Sequence, residues 1–195
     1  MPEQKEKTIK PTVEDIYELY IKDDMLRKIT ERLFEIAREY KMRNRWISYN
    51  SFTFTYRGTN IFNITMRATM SNKGVRTIDP TNHLIILLSL GKKHEVETLL
   101  LEQPKDMRSE YINNRAISCS VCAGTPEGQI IRNLTCDKVL DFNESGEIYH
   151  LCTVNFGYSR HNPSAEQFEM IERFIMARIT SIDYEKSKNK NLHSK

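Results

Sequence analysis

Four cysteines fall within 34 residues of the C-terminal half. Cys119 and Cys122 form a C-x2-C pair, Cys136 follows after thirteen residues, and Cys152 after fifteen more. A C-x2-C turn brings two thiolates to one side of the chain, and Zn2+ accepts four such soft ligands in a tetrahedron. Cys119, Cys122, Cys136 and Cys152 are therefore the expected zinc ligands. A closed set of four leaves no coordination position for a substrate, so the expected role of the metal is structural. His150, two residues before Cys152, offers an imidazole in place of one thiolate, because alternation along a strand puts both on one face. Two other readings stand beside this one. Cys is among the most buried residue types, so Cys136 and Cys152 could be ordinary core thiols. Alternatively, Cys119 and Cys122 could serve a thiol-dependent enzyme or redox sensor. Redox pairs of this spacing sit at a helix N-terminus, which lowers the thiolate pKa. Here Gly124, Pro126 and Gly128 follow the pair, which is loop chemistry.

No other constellation carries comparable chemistry. His94-Glu95 lacks the second His that a metalloprotease helix needs, since position 98 is Thr. Neither a G-x-x-x-x-G-K-S/T nor a G-x-G-x-x-G sequence occurs, and no catalytic set is identifiable by spacing. Trp46, Tyr49, Phe52, Phe54 and Tyr56, with Arg43, Arg45, Arg57 and Arg67 nearby, have the residue types that stack bases and meet phosphates. The alternative is a core-facing strand with a basic rim, and charge favours it. The last twelve residues carry four Lys against one Glu, and the first ten three Lys against two Glu. Residues 11–183 therefore balance to −1 of the total +3, leaving no long-range attraction for nucleic acid, which is not an expected partner.

The elements that must position the cysteines follow from length and pattern. With 195 residues, 39% of them hydrophobic and only 7 Gly and 6 Pro, the chain is of ordinary globular composition, not collagen-like or low-complexity. The longest apolar run, Leu84 to Leu90, is far short of the ~20 residues that span a bilayer. The N-terminus MPEQKEKTIKP has no apolar signal region, so a cytoplasmic protein with no membrane partner is expected. In that reducing compartment thiols or metal ligands are expected rather than disulfides.

Thr12 caps an expected helix through Ile16, Leu19 and Tyr20, and an Asp of Lys22-Asp23-Asp24 caps a second through Leu26, Ile29, Leu33, Ala37 and Tyr40. The period then becomes two. Phe52, Phe54 and Tyr56, then Phe62, Ile64 and Met66, predict a hairpin turning at Arg57-Gly58-Thr59-Asn60, its first strand extended by Trp46 and Tyr49 through a bulge. Leu84 to Leu90 reads as a buried strand. His94 to Leu101 and Lys105 to Asn113 read as helices separated by Pro104, packing through Val96, Leu99, Leu100, Met107 and Tyr111. Strands at Val139 to Phe142 and Ile148 to Phe156 are joined by Asn143-Glu144-Ser145-Gly146. Ser164 and Gln167 have the spacing of a capping box before a final helix carrying Phe168, Ile171, Phe174, Ile175 and Ile179.

Clustered strands rather than strict alternation imply an α+β fold with an antiparallel sheet, N-terminal helices and a cysteine-rich C-terminal region ending in a helix. The expected organisation is a flexible N-terminus (1–11), an α+β core (12–113), a cysteine-containing region with the C-terminal helix packed on that core (114–183), and a disordered basic tail (184–195). A zinc-stabilised binding or regulatory module is the expected function, non-enzymatic, with the thiol-dependent enzyme or redox sensor as the alternative.

The cysteine cluster, the strand Gly146-Glu147-Ile148-Tyr149-His150-Leu151-Cys152 and Asn162-Pro163 opening a final helix resemble the C-terminal region of a group of uncharacterised bacterial proteins. In that group a G-K-x-Y-x-x-C strand precedes an F-x-N-P helix start. The resemblance covers about residues 107–178, with Glu147 in place of the Lys and Tyr158 to His161 in place of a shorter Phe-containing approach. It implies that the cysteines belong to one site, and it implies no activity.

Overall fold

The computed structural model describes residues 10–48, 50–66, 83–113, 139–152 and 158–192, with the side chains of Ser48, Cys152 and 189–192 excepted. Its first helix, α1 (Val13–Tyr20), starts at a reciprocal cap. Asp15 N donates to Thr12 Oγ1 at 3.2 Å, and Thr12 N donates to the Asp15 carboxylate at 3.1 Å. Helix α2 (Asp24–Glu39) is capped by Asp23, which accepts from Leu26 N at 2.9 Å. Its stripe of Leu26, Ile29, Leu33, Phe34, Ile36 and Ala37 is buried.

The chain then forms β1 (Arg43–Ser48), β2 (Ser51–Tyr56) and β3 (Thr59–Met66), and later β4 (Leu84–Leu88). Trp46 does not prolong the first hairpin strand, as its spacing suggested. It belongs to a separate strand that turns back and pairs antiparallel with β2, the register shifting between Trp46 and Ser48. Tyr49 lies outside the described residues. The β2–β3 turn is Arg57-Gly58, both with positive φ (48° and 85°), the twist that a two-residue hairpin requires. The expected strand to Leu90 ends at Leu88; within it Leu84, Ile86 and Leu88 are buried, with Ile85 and Leu87 half-buried on the other face.

Helices α3 (Lys93–Leu101) and α4 (Lys105–Asn113) follow, either side of Pro104. Val96, Leu99, Leu100, Met107 and Tyr111 are all buried, as their spacing predicted. Strands β5 (Val139–Glu144) and β6 (Glu147–Cys152) form a two-stranded sheet of their own. A further strand, β7 (Tyr158–His161), went unread in the sequence and completes a five-stranded antiparallel sheet of order β1-β2-β3-β4-β7. The fold is thus α+β, with N-terminal helices before an antiparallel sheet and a C-terminal helix at the end.

One face of that sheet is apolar. Across the ladder, Trp46, Phe52, Ile64, Ile86 and Arg160 form one row, and Phe54, Phe62, Leu88 and Tyr158 the next. Phe54 and Phe62 stack at 4.6 Å, each contributing about 2 kcal/mol by burial. Thr53, Asn63 and Thr65 belong to the alternate rows and are also buried. Helix α5 (Ala165–Leu192) closes the core with Phe168, Ile171, Phe174, Ile175 and Ile179, behind a cap in which Ser164 N donates to Gln167 Oε1 at 3.0 Å. The expected disordered tail from residue 184 is instead helical to Leu192. Lys188 Nζ lies 4.4 Å over the Tyr184 ring one turn back, and Lys186 Nζ donates to Arg57 O at 2.8 Å, holding a stretch that has no apolar face.

Candidate metal centre

Of the four expected ligands, Cys152 is the last residue of β6, in register with Val139. Cys119, Cys122 and Cys136 lie outside the described residues, as does the side chain of Cys152. Among the described residues no group of three or more His, Cys, Asp or Glu is placed to hold a metal ion.

The hairpin that carries Cys152 is built tightly. Ser145 and Gly146 have positive φ (57° and 91°), and Gly146 N donates to Asn143 Oδ1 at 2.9 Å, so the turn occupies two residues rather than four. Leu140, Phe142 and Leu151 enter the core. Arg108 of α4 ties the turn end down, with Nε and Nη2 donating to the two Glu144 oxygens at 2.7 and 3.0 Å. That guanidinium fork holds the Glu144 carboxyl below the usual carboxylate range.

On the outward side, Asp141 and His150 are cross-strand partners, and His150 Nδ1 lies 2.7 Å from Asp141 Oδ1. An ionised carboxylate only accepts, so Nδ1 is the donor, and the neutral ring then leaves Nε2 with its lone pair. Imidazoles that bind metals are oriented by a carboxylate in this way. The sequence reading named His150 and missed Asp141. The signal was present, because a two-residue turn at Ser145-Gly146 pairs 144 with 147 and hence 141 with 150.

The described aromatics weighed for nucleic-acid stacking are engaged with the core, and Tyr49 and Arg67 lie outside the described residues. Phe52, Phe54 and Tyr56 are buried in the core and Trp46 is packed against it. Arg43 and Arg45 are exposed, in register with Thr55 and Thr53 on the face opposite those rings. Beside β7, Tyr158 O–H donates to Glu110 Oε1 at 3.0 Å, and Arg160 Nη2 donates to the same oxygen. Burial and the Glu110 charge push the Tyr158 phenol far up from its ordinary value. A groove of about 1030 Å3 runs between α3 and α5, its lining including Met107, Met176 and Ala177 together with Glu102, Glu169 and Glu185. No helix among the described residues is long and apolar enough to cross a membrane. No family model, curated protein or solved structure matches the chain.

Proposed function

We propose that the protein is a non-enzymatic binding or regulatory module whose cysteine-bearing region is held by a structural Zn2+ on Cys119, Cys122, Cys136 and Cys152. The reading is supported by the β5–β6 hairpin, which carries Cys152 two residues on from His150, whose imidazole lies 2.7 Å from Asp141. A metal tie supplies folding free energy where apolar residues are few, as in the sequence from Ala123 to Cys136. Four thiolates on one ion leave no open coordination position, so the metal serves the fold and binding falls to other surfaces.

Metal analysis of protein purified without chelator tests this, with about one equivalent of zinc expected. Less than about 0.2 equivalents, with every thiol freely titratable, overturns it, because a structural site survives purification.

A further inference from the structure

At one end of the five-stranded sheet, the C-terminus of α2 and the β2–β3 turn meet around a cleft of about 640 Å3. Both segments break a local rule in the same way. After α2, the chain reverses at Lys41 with φ of 50°, the left-handed position where helices usually place glycine. The β2–β3 turn opens at Arg57 with φ of 48°, where asparagine, aspartate or glycine is the cheap choice. Each long side chain therefore costs backbone strain that a smaller residue would avoid. Four non-glycine residues in the described structure have positive φ, and the two cationic ones line this one cleft. Strain of this kind, retained twice and converging on one cavity, marks a position selected for its side chain.

Among the described residues Arg43, exposed on the edge strand β1, is the third cation of the lining, against one carboxylate, Glu39. Lys41 and Arg43 make no side-chain ion pair among the described residues. Arg57 is positioned from behind: its Nη1 lies 3.2 Å from Asp183 Oδ1, and its guanidinium carbon sits 5.3 Å from the centre of the Tyr56 ring. Tyr56 O–H donates to the same Asp183 at 2.9 Å, and Tyr40 packs edge-on against Tyr56 at 6.0 Å. The Tyr56 ring, itself packed against Tyr40, thus backs the anchored cation, Arg57.

We infer that this cleft binds a small aromatic phosphate monoester, its phosphate at Lys41, Arg43 and Arg57 and its ring against Tyr40. Guanidinium forks and an ammonium recognise tetrahedral oxyanions. The volume lies in the range of small-molecule sites, more than a bare oxyanion needs. Among the described residues no cysteine lines the cleft, and the inference goes beyond the zinc reading and stands without it.

The test uses the full chain with phenyl phosphate and inorganic phosphate as probes, followed through amide shifts of Lys41, Arg43, Thr55, Arg57 and Gly58. Phenyl phosphate is expected to bind in the sub-millimolar range at low salt, about tenfold tighter than inorganic phosphate. Lys41→Gly relieves backbone strain, so it is expected to raise the melting temperature by about 2 °C while weakening phenyl phosphate at least about fivefold; Arg57→Asn trades that relief against the Asp183 pair and is expected to weaken the ligand similarly with the melting temperature little changed. Arg43→Ala, at an exposed site, weakens it similarly with the fold intact. Opposite signs on stability and affinity separate a binding role from an incidental cation. Dissociation constants above about 10 mM, shifts centred elsewhere, or unchanged affinity in all three variants would overturn the inference.

Discussion

Arg178 of α5 and Glu95 of α3 form a buried ion pair, Nη2 donating to Oε1 at 2.9 Å with side-chain exposures of 3% and 13%. Glu95 Oε2 also accepts from Lys92 N at 2.5 Å, so one carboxylate joins the start of α3 to the C-terminal helix. Burial pushes the Glu95 carboxyl up, but the Lys92 N–H and the guanidinium outweigh it and hold it below the usual carboxylate range. Among the described residues Arg178 Nε and Nη1 are buried with no hydrogen-bond partner, and Glu95 is its one counter-charge. Removing that counter-charge strands a cation in the core. Glu95→Ala is therefore expected to cost about 3 kcal/mol in urea melts, and Glu95→Leu with Arg178→Met to recover most of it. The pH dependence has a definite sign. A depressed carboxylate stabilises fully above its unfolded value near pH ~4.3 and is lost as pH falls through the lower folded value. Glu95→Gln should accordingly flatten the acid limb of the stability profile below about pH 4.5, and an unchanged limb would count against the pair.

Gly91 packs directly on this pair. Its φ is +112°, and an added Cβ would sit 2.8 Å from Glu95 Oε2 and 2.9 Å from Arg178 Cζ. Gly91→Ala meets both backbone strain and a collision, with an expected loss of about 2 kcal/mol or more. Gly58 also has positive φ (+85°), but nothing lies within 4 Å of its Cβ position, so Gly58→Ala should cost only about 1 kcal/mol. Equal losses in paired chemical melts would show that the Arg178–Glu95 pair is loosely held.

Tyr158 is fully buried between Tyr111 and Phe174, with its hydroxyl on Glu110. Because the folded phenol titrates far above its ordinary value, its stabilisation is complete below the unfolded value near pH ~10 and is lost as pH rises beyond it. Tyr158→Phe should cost about 1 kcal/mol at neutral pH and flatten the alkaline limb above about pH 10. Absorbance titration should show a tyrosine that ionises only on unfolding, and the variant should lack it.

The elements legible in the sequence are those whose signals are local. The Thr12–Asp15, Asp23 and Ser164–Gln167 caps lie within three residues of their partners, and the alternation of Phe52, Phe54, Phe62 and Ile64 follows from the pleat of one hairpin. What escaped depends on partners distant in the chain. Tyr158-Ser159-Arg160-His161 carries one apolar residue, and Arg160 occupies the apolar row with its charge met by Glu110, fifty residues back. Strand β1 is a sheet edge bearing Arg43 and Arg45, charges that protect an unpaired edge and hide its period. The helix beyond Asp183 leans on Arg57 O through Lys186, a contact that composition does not reveal. At the candidate metal centre, Cys152 lies on the strand expected of it, and Asp141 becomes readable once the turn is fixed at Ser145-Gly146.

That hairpin makes the metal proposal separable from global stability. β5 and β6 pair with each other and not with the five-stranded sheet, and they are held through Leu140, Phe142, Leu151 and the Arg108–Glu144 fork. Loss of zinc should therefore release residues 139–152 while the Phe54–Phe62 stack keeps the main sheet. Chelation is expected to accelerate amide exchange across 139–152 by at least about tenfold, with β2 and β3 unchanged. Cys152→Ala should reproduce that loosening and lose the metal, whereas His150→Ala should retain it if four thiolates are the ligands. A thiol-redox role predicts otherwise: a reversible Cys119–Cys122 disulfide, with Cys152→Ala leaving both the pair and the hairpin undisturbed. Retention of one zinc equivalent by Cys152→Ala together with its loss in His150→Ala would move the ligand from the thiolate to the imidazole that Asp141 holds.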